Sequence, residues 1–79
     1  MESAIIKLTE LKPGQTGIIH AIMNADIKLK LYEMGCLPGE PVQVLIHAPL
    51  GCPVAIKVAN YVLSLRLSEA DNVLVLMET

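Results

Sequence analysis

The feature that most constrains the fold is a helix end followed at once by a tight turn and a strand, over residues 31–44. Gly35 can adopt the left-handed conformation that ends a helix, so that Cys36 folds back onto the helix. Pro38 and Gly39 supply the fixed φ and the positive φ of a type II turn. Three changes of backbone direction in so short a stretch predict a small barrel with one inserted helix.

The remaining apolar pattern predicts a mainly β chain of about five short strands. Val42, Val44 and Ile46 alternate with Gln43 and Leu45, as expected for a strand. The first strand does not alternate cleanly, which indicates either two covered faces or a β-bulge. The predicted strands cover residues 17–23, 42–47, 54–58, 62–65 and 73–77, with a helix over 25–34 and a short C-terminal helical turn over 68–71.

Several residues are predicted to form turns or helix caps. Asn24 or Asp26 can cap the helix. Asn60 tolerates the left-handed conformation of a tight hairpin turn. Ser68 is expected to cap the C-terminal helical turn, with Asp71 as the acid of a capping box. The turn and cap residues are Gly14, Gly17, Gly35, Pro38, Gly39, Asn60 and Ser68.

Length and composition bound the class of protein. A chain of 79 residues is expected to form a single domain over 1–79. A net charge of −2 and only two aromatic residues argue against a nucleic-acid partner, which calls for a basic face or stacking rings. Polar residues interrupt the apolar runs, so a membrane is reached only through a partner. The N-terminus lacks the pattern of a secretory signal, and we therefore expect a cytoplasmic protein with reduced cysteines.

A partner-binding surface is the favoured hypothesis for function, because some side chains are too apolar for their positions. Leu29 and Tyr32 lie on the flank of the helix, and Leu50 lies at the tip of a loop bounded by prolines. Lys28 and Lys30 would steer this face toward an acidic partner, although a solvated helix face is the favoured interpretation of both lysines. Ordinary packing explains Leu29 and Tyr32 about as well. A sheet edge offers a second route, to a partner strand or to a second copy in a homo-oligomer.

Catalysis and metal binding are the other classes that the residues allow. A nucleophile needs an adjacent base, and no motif of that kind accompanies the cysteines or histidines. The chain is therefore not expected to be an enzyme, and no cofactor is required. If Fe(II) or another transition metal binds, His47 and Cys52 are its ligands, because they flank the same loop. Solvated or structural roles for both residues are the favoured interpretation.

The ordered set of turns and strands resembles the ferrous iron transport protein A family, FeoA. The resemblance runs through nearly the whole chain. It includes the helix end with its Pro-Gly turn, the loop over residues 48–53, and the strand over residues 63–66. Two positions depart from the family pattern, since Asn60 stands where glycine is common and Cys52 where a small polar or acidic residue is expected.

The resemblance implies an SH3-like barrel that acts as a cytosolic accessory to the FeoB ferrous iron transporter, a membrane protein with a GTP-binding domain. A similar barrel forms the C-terminal domain of iron-dependent repressors. An alternative function is therefore that of a metal-responsive regulatory domain.

Overall fold

A computed structural model describes residues 3–48 and 53–78. Six strands, two α-helices and one 3-10 turn make up this part of the chain. The strands are β1 (Ser3–Lys7), β2 (Thr16–Ile22), β3 (Pro41–His47), β4 (Val54–Val58), β5 (Tyr61–Leu65) and β6 (Val73–Glu78). The helices are α1 (Ala25–Glu33) and α2 (Leu67–Ala70), and the 3-10 turn covers Leu8–Glu10.

All six strands belong to one antiparallel sheet in the order β1-β6-β2-β3-β4-β5. The mainly β class with one inserted helix is confirmed, and the first and last predicted strands pair as β2 and β6. The prediction of about five strands corresponds to β2 to β6, and the structure adds β1. That strand has no alternating pattern, and its pairing with β6 joins Ser3 to Glu78 across the length of the chain.

A Pro-Gly turn lies at each end of the hydrogen-bonded ladder between β2 and β3. At one end, Lys12 accepts a hydrogen bond from the Gln15 amide at 2.9 Å, and Gly14 has a φ of +91°. The Gly14 amide donates to the Val44 carbonyl at 2.7 Å, and the Val44 amide donates to the Gln15 carbonyl at 3.1 Å. Gly14 and Gln15 thus lie opposite the single residue Val44. Because the first of the two is a glycine with positive φ, this is a G1 bulge.

The other end repeats the same arrangement with the strands exchanged. Gly39 has a φ of +93°, and its amide donates to the Ile19 carbonyl at 2.8 Å. The Ile19 amide donates to the Glu40 carbonyl at 2.9 Å, and the Glu40 amide closes the turn on Leu37 at 3.1 Å. The turn before β2 is therefore bonded to β3, and the turn before β3 is bonded to β2. The two strands cannot slip past each other without breaking both bulges.

Two further irregularities lie inside the sheet. The register of β2 against β6 shifts between Ile19 and Ala21, which matches the predicted bulge. The register of β3 against β4 shifts between Val44 and Ile46, so the predicted alternation fails there. Because the extra residue reverses the side-chain direction, Ile46 is 59% exposed instead of buried beside Val44.

The core consists of short aliphatic side chains from both halves of the sheet and from α1. The buried apolar residues are Leu8, Leu11, Ile19, Ile22, Leu31, Cys36, Val42, Val44, Val54, Ile56, Val58, Leu65, Ala70, Val73 and Val75.

Gly17, expected at a turn, lies instead inside β2, where an added Cβ would be 3.2 Å from the Leu76 carbonyl oxygen.

Two predicted turn and cap residues are corrected. Ser68 does not cap α2. The helix begins one residue earlier, at Leu67, and the Glu69 side chain accepts from the Arg66 backbone amide at 2.9 Å. In the hairpin between β4 and β5, the residue with positive φ is Ala59, at +53°, and not Asn60. A two-residue loop with positive φ at its first position is of type II′, which favours glycine at that position.

Ala59→Gly should stabilise the protein by about 0.5–1 kcal/mol, because glycine removes the left-handed strain and loses only part of that gain to chain entropy. The measurement is urea-induced unfolding followed by circular dichroism. Asn60→Gly is the matched control, and it should give no gain. A destabilised Ala59→Gly protein would contradict the strain at this position.

Candidate partner-binding surface

Helix α1 begins and ends with well-defined caps. The Asn24 side-chain oxygen accepts from the amides of Asp26 and Ile27, at 2.9 and 3.2 Å. At the other end, the Gly35 amide donates to Tyr32 at 3.0 Å and the Cys36 amide donates to Leu31 at 2.9 Å. This pair of bonds is the Schellman motif, which satisfies the last carbonyls of the helix.

A side chain from β5 closes the C-terminal end of α1. The Tyr61 hydroxyl donates to the Met34 carbonyl at 2.6 Å and lies directly over Gly35. An ideal Cβ built on Gly35 would be only 1.8 Å from that hydroxyl oxygen. Glycine is therefore required at position 35 for two reasons. It tolerates the positive φ of +93°, and its missing side chain leaves the space that the Tyr61 hydroxyl occupies. The helix is held at both ends, so the backbone of its outer face has a defined position.

The two apolar residues predicted on the helix flank have different environments. Leu29 is 64% exposed. Tyr32 is half-buried, and its ring packs against the core. Lys28 is exposed on the same helix. Leu50 lies outside the described residues. Of the predicted partner residues on α1, Lys28, Leu29 and Lys30 are exposed. We call Lys28 and Leu29 the α1 outer face.

Lys30 joins α1 to α2 through an ion pair. Its Nζ lies 2.5 Å from Oε2 of Glu69, whose residue is only 8% exposed. The hydrogen bond from Lys30, together with that from the Arg66 backbone amide, lowers the pKa of Glu69. Lys30 was predicted to face a partner, but its charge is already directed to a carboxylate of the same chain. Lys28 is left as the lysine of the α1 outer face.

Of the two predicted metal ligands, His47 lies among the described residues. Nε2 of His47 is 3.1 Å from the Leu11 carbonyl oxygen, while Cys52 lies outside the described residues. Cys36 is buried at the helix end, and this burial raises the pKa of its thiol. Residues 3–48 and 53–78 contain no group of three or more His, Cys, Asp or Glu side chains arranged to hold a metal ion. This part of the chain offers surfaces for binding and no assembled metal site.

A second apolar surface escaped the sequence prediction. Ile5 and Ile18 pair with Leu76 from opposite sides, and Ile18 also pairs with Pro41, so four strands contribute to one row. Ile5 is 52% exposed and Ile18 is 38% exposed. A shallow groove of about 270 Å³ lies beside it, lined by Thr16 and Gly17 among others. Only the strand register reveals this sheet row, because its members are scattered along the chain.

Within the described residues, neither helix has the length and apolar character needed to cross a membrane.

The comparisons with known proteins agree with this architecture. A family model described as the FeoA domain matches residues 6–77. Comparison with curated protein sequences gives no significant match. A FeoA-like protein from Clostridium acetobutylicum is 32% identical with a TM-score of 0.84, and the match covers 95% of this chain and 87% of that one.

Two further structures extend the likeness. FeoA from Stenotrophomonas maltophilia, solved with zinc and described as a prokaryotic SH3 domain protein, is 28% identical with a TM-score of 0.77, covering 89% of this chain and 88% of that one. IdeR from T. acidophilum is 22% identical with a TM-score of 0.80, covering 95% of this chain and 35% of that one. The second likeness shows the fold alone. The barrel is therefore SH3-like.

Gly35→Ala should destabilise the protein by about 2–3 kcal/mol, whereas Gly39→Ala should cost about 1 kcal/mol. Both glycines have a φ of +93°, but only Gly35 has a hydroxyl where the Cβ would lie, with nothing near Gly39. Urea unfolding measures both values. In a Tyr61→Phe background the extra cost at Gly35 should shrink. Equal costs for the two glycines would contradict the role of Tyr61.

Glu69→Gln should lower the free energy of unfolding at pH 7 by roughly 1–2 kcal/mol, because a charged hydrogen bond is lost. A folded-state pKa below the ordinary value means that Glu69 contributes stability above about pH 4.5, and this contribution is lost as the pH falls through the lowered pKa. The difference between Glu69→Gln and the unaltered protein should therefore narrow in acid.

Unfolding at several pH values between about 3 and 7 checks this, at intervals chosen around the ordinary glutamate pKa of 4.5. Glu33→Gln is the matched control, since Glu33 is exposed on α1 and forms no ion pair within the described residues. Its effect should be small at every pH. A Glu69→Gln difference that does not change with pH would contradict the ion pair as its source.

Proposed function

This chain belongs to the FeoA family, which implies a role in ferrous iron transport, and we propose that it acts by binding the cytosolic part of a FeoB-type transporter. Its Stenotrophomonas relative is described as a candidate ferrous iron transport activating factor, which supports an accessory role. The described residues display exposed apolar side chains and no assembled metal-binding group. Protein binding is the activity that such surfaces serve best.

The observation that carries the proposal is the exposure of Leu29. A leucine that is 64% exposed on a helix held at both ends gains from removal from water, by roughly 1–2 kcal/mol. Since the caps and the Tyr61 bond fix α1, little conformational entropy is lost when a partner covers it. The α1 outer face is therefore a preorganised contact surface.

Charge supports the choice of this face. Lys28 is exposed next to Leu29, while Lys30 is neutralised by Glu69. Asp26 and Glu33, three residues before and four residues after Leu29, are also exposed, so charges of both signs surround the apolar contact. Such a contact fits a partner surface that carries an apolar pocket with a polar rim. The sheet row around Ile18 lacks such a charged residue among its members.

Calorimetric titration into the isolated cytosolic domain of the cognate FeoB-type transporter tests the proposal. The titration is run without nucleotide, with GDP and with a GTP analogue. We expect saturable binding in at least one of the three conditions. Absence of heat and of any shift in a parallel sedimentation experiment, in all three, would overturn binding to this domain.

Leu29→Glu should weaken the binding at least tenfold, because it places a carboxylate in the apolar contact, and tenfold corresponds to about 1.4 kcal/mol. Ile5→Glu is the matched control: Ile5 is also exposed, but it belongs to the sheet row. Circular dichroism confirms that both variants fold. Weaker binding of Ile5→Glu, with Leu29→Glu unchanged, would move the contact to the sheet row.

Leu50→Glu gives a separate test of the loop predicted from the sequence. Weaker binding of this variant would extend the contact beyond α1, and unchanged binding would leave residue 50 outside the contact.

A further inference from the structure

Strand β5 is an outer strand of the sheet. Within residues 3–48 and 53–78, β4 is the only strand that pairs with it, from Val54↔Leu65 to Val58↔Tyr61. Half of the main-chain N–H and C=O groups of such a strand point away from the sheet. Water satisfies these groups unless another strand adds to the edge.

The hairpin geometry determines which groups point outward. A two-residue loop makes Val58 and Tyr61 a hydrogen-bonded pair, and the antiparallel ladder then alternates. Val62 and Ser64 therefore occupy non-hydrogen-bonded positions relative to β4. The outward-facing amides and carbonyls of this edge belong to Val62 and Ser64.

The β5 edge also lacks the features that usually prevent edge pairing. The five residues of β5 include no charged residue, proline or glycine, and the register with β4 has no bulge. Val62 exposes 59% of its surface. The opposite edge differs, because β1 contains Lys7, which pairs with Asp71 at 3.7 Å. Charges, prolines and bulges are the devices that block addition of a strand, so β5 is the edge open to it.

We propose that the β5 edge pairs in antiparallel fashion with the β5 edge of a second copy of this chain. A two-fold axis through Leu63 places Val62 of each copy opposite Ser64 of the other. Each of these two pairs supplies two main-chain hydrogen bonds, so four form in all. The edge is self-complementary, as a two-fold interface requires.

The side chains are compatible with this arrangement. Leu63 meets its own counterpart across the axis, and it is partly buried against the core of its own copy. Asn60 of one copy faces Arg66 of the other, so no like charges stand directly opposite each other across the pairing. The sheet continues from one barrel into the next, and the outer side chain of Val62 gains apolar cover.

The interface is small, since each copy contributes only five residues. Interfaces at the low end of the size range are weak, and we expect dissociation constants of roughly 0.01–1 mM. The dimer is therefore a property of concentrated protein. This inference is independent of the proposed transporter contact, which uses α1.

Sedimentation equilibrium of the purified protein up to about 1 mM, with a reductant to keep cysteines from cross-linking, measures the association directly. We expect a reversible monomer–dimer equilibrium. Ser64→Pro should weaken it about tenfold or more, because two of the four hydrogen bonds are lost. The proline removes an outward amide and leaves the β4 ladder intact. Ser64→Ala, which keeps the amide, is the matched control and should dimerise like the unaltered chain.

Val62→Glu provides a second variant in case Ser64→Pro does not fold. In the monomer the new carboxylate lies opposite Lys57 on β4, which favours the fold. In the dimer the two carboxylates lie close to the two-fold axis and repel, so association should fall. Val62→Thr is its neutral control and should retain the dimer.

Amide hydrogen exchange distinguishes this edge from any other contact. The amides of Val62 and Ser64 should exchange quickly in dilute protein and become protected as concentration rises. A monomer at every concentration would overturn the proposal. So would a dimer that survives both Ser64→Pro and Val62→Glu, or protection that rises at β1 instead.

Discussion

The fold depends on the pair of reciprocal bulges that closes the ladder between β2 and β3. The amides of Gly14 and Gly39 reach across to Val44 and Ile19, which are both buried. These two side chains come from the strands that link the two halves of the sheet, since β2 also pairs with β6 and β3 with β4. Register and core packing are therefore determined by the same four residues.

A few side-chain hydrogen bonds hold the helical elements in place. The 3-10 turn and α2 each contain, at their third residue, a glutamate that accepts from a main-chain amide three residues earlier, Glu10 from Lys7 and Glu69 from Arg66. Glu69 also reaches Lys30 and so connects the two helices. A domain with no Phe or Trp has few large side chains to lock its parts together. Polar contacts of this kind fix the orientation of α1, on which the α1 outer face depends.

The sequence was informative where structure is local. Pro38 with Gly39 and the helix end at Gly35 could be recognised because each motif needs only its own few residues, and both glycines have positive φ. Helical periodicity placed Leu29 on the flank of α1, where packing explained it about as well as partner binding, and the structure shows it 64% exposed. Other features depend on distant partners: β1 on β6, Lys30 on Glu69, and the sheet row on three separate pairings.

Two local errors have a physical cause as well. A bulge at Leu45 reverses Ile46, and a strand pattern cannot show it because the extra residue is apolar like its neighbours. In the hairpin, asparagine tolerates the left-handed region better than alanine, yet Ala59 adopts it because the loop type is set by the twist of β4 and β5.

The pairing of β1 with β6 has a consequence for the order in which the domain folds. The hairpins β3–β4 and β4–β5 join residues close in sequence, whereas the β1 ladder joins Ser3 to Glu78 and Lys7 to Leu74. Closing so long a loop has a larger entropic cost, and contacts of this kind slow folding. During synthesis, β1 cannot pair with β6 until β6 has been made, so we expect this ladder to form after the local hairpins.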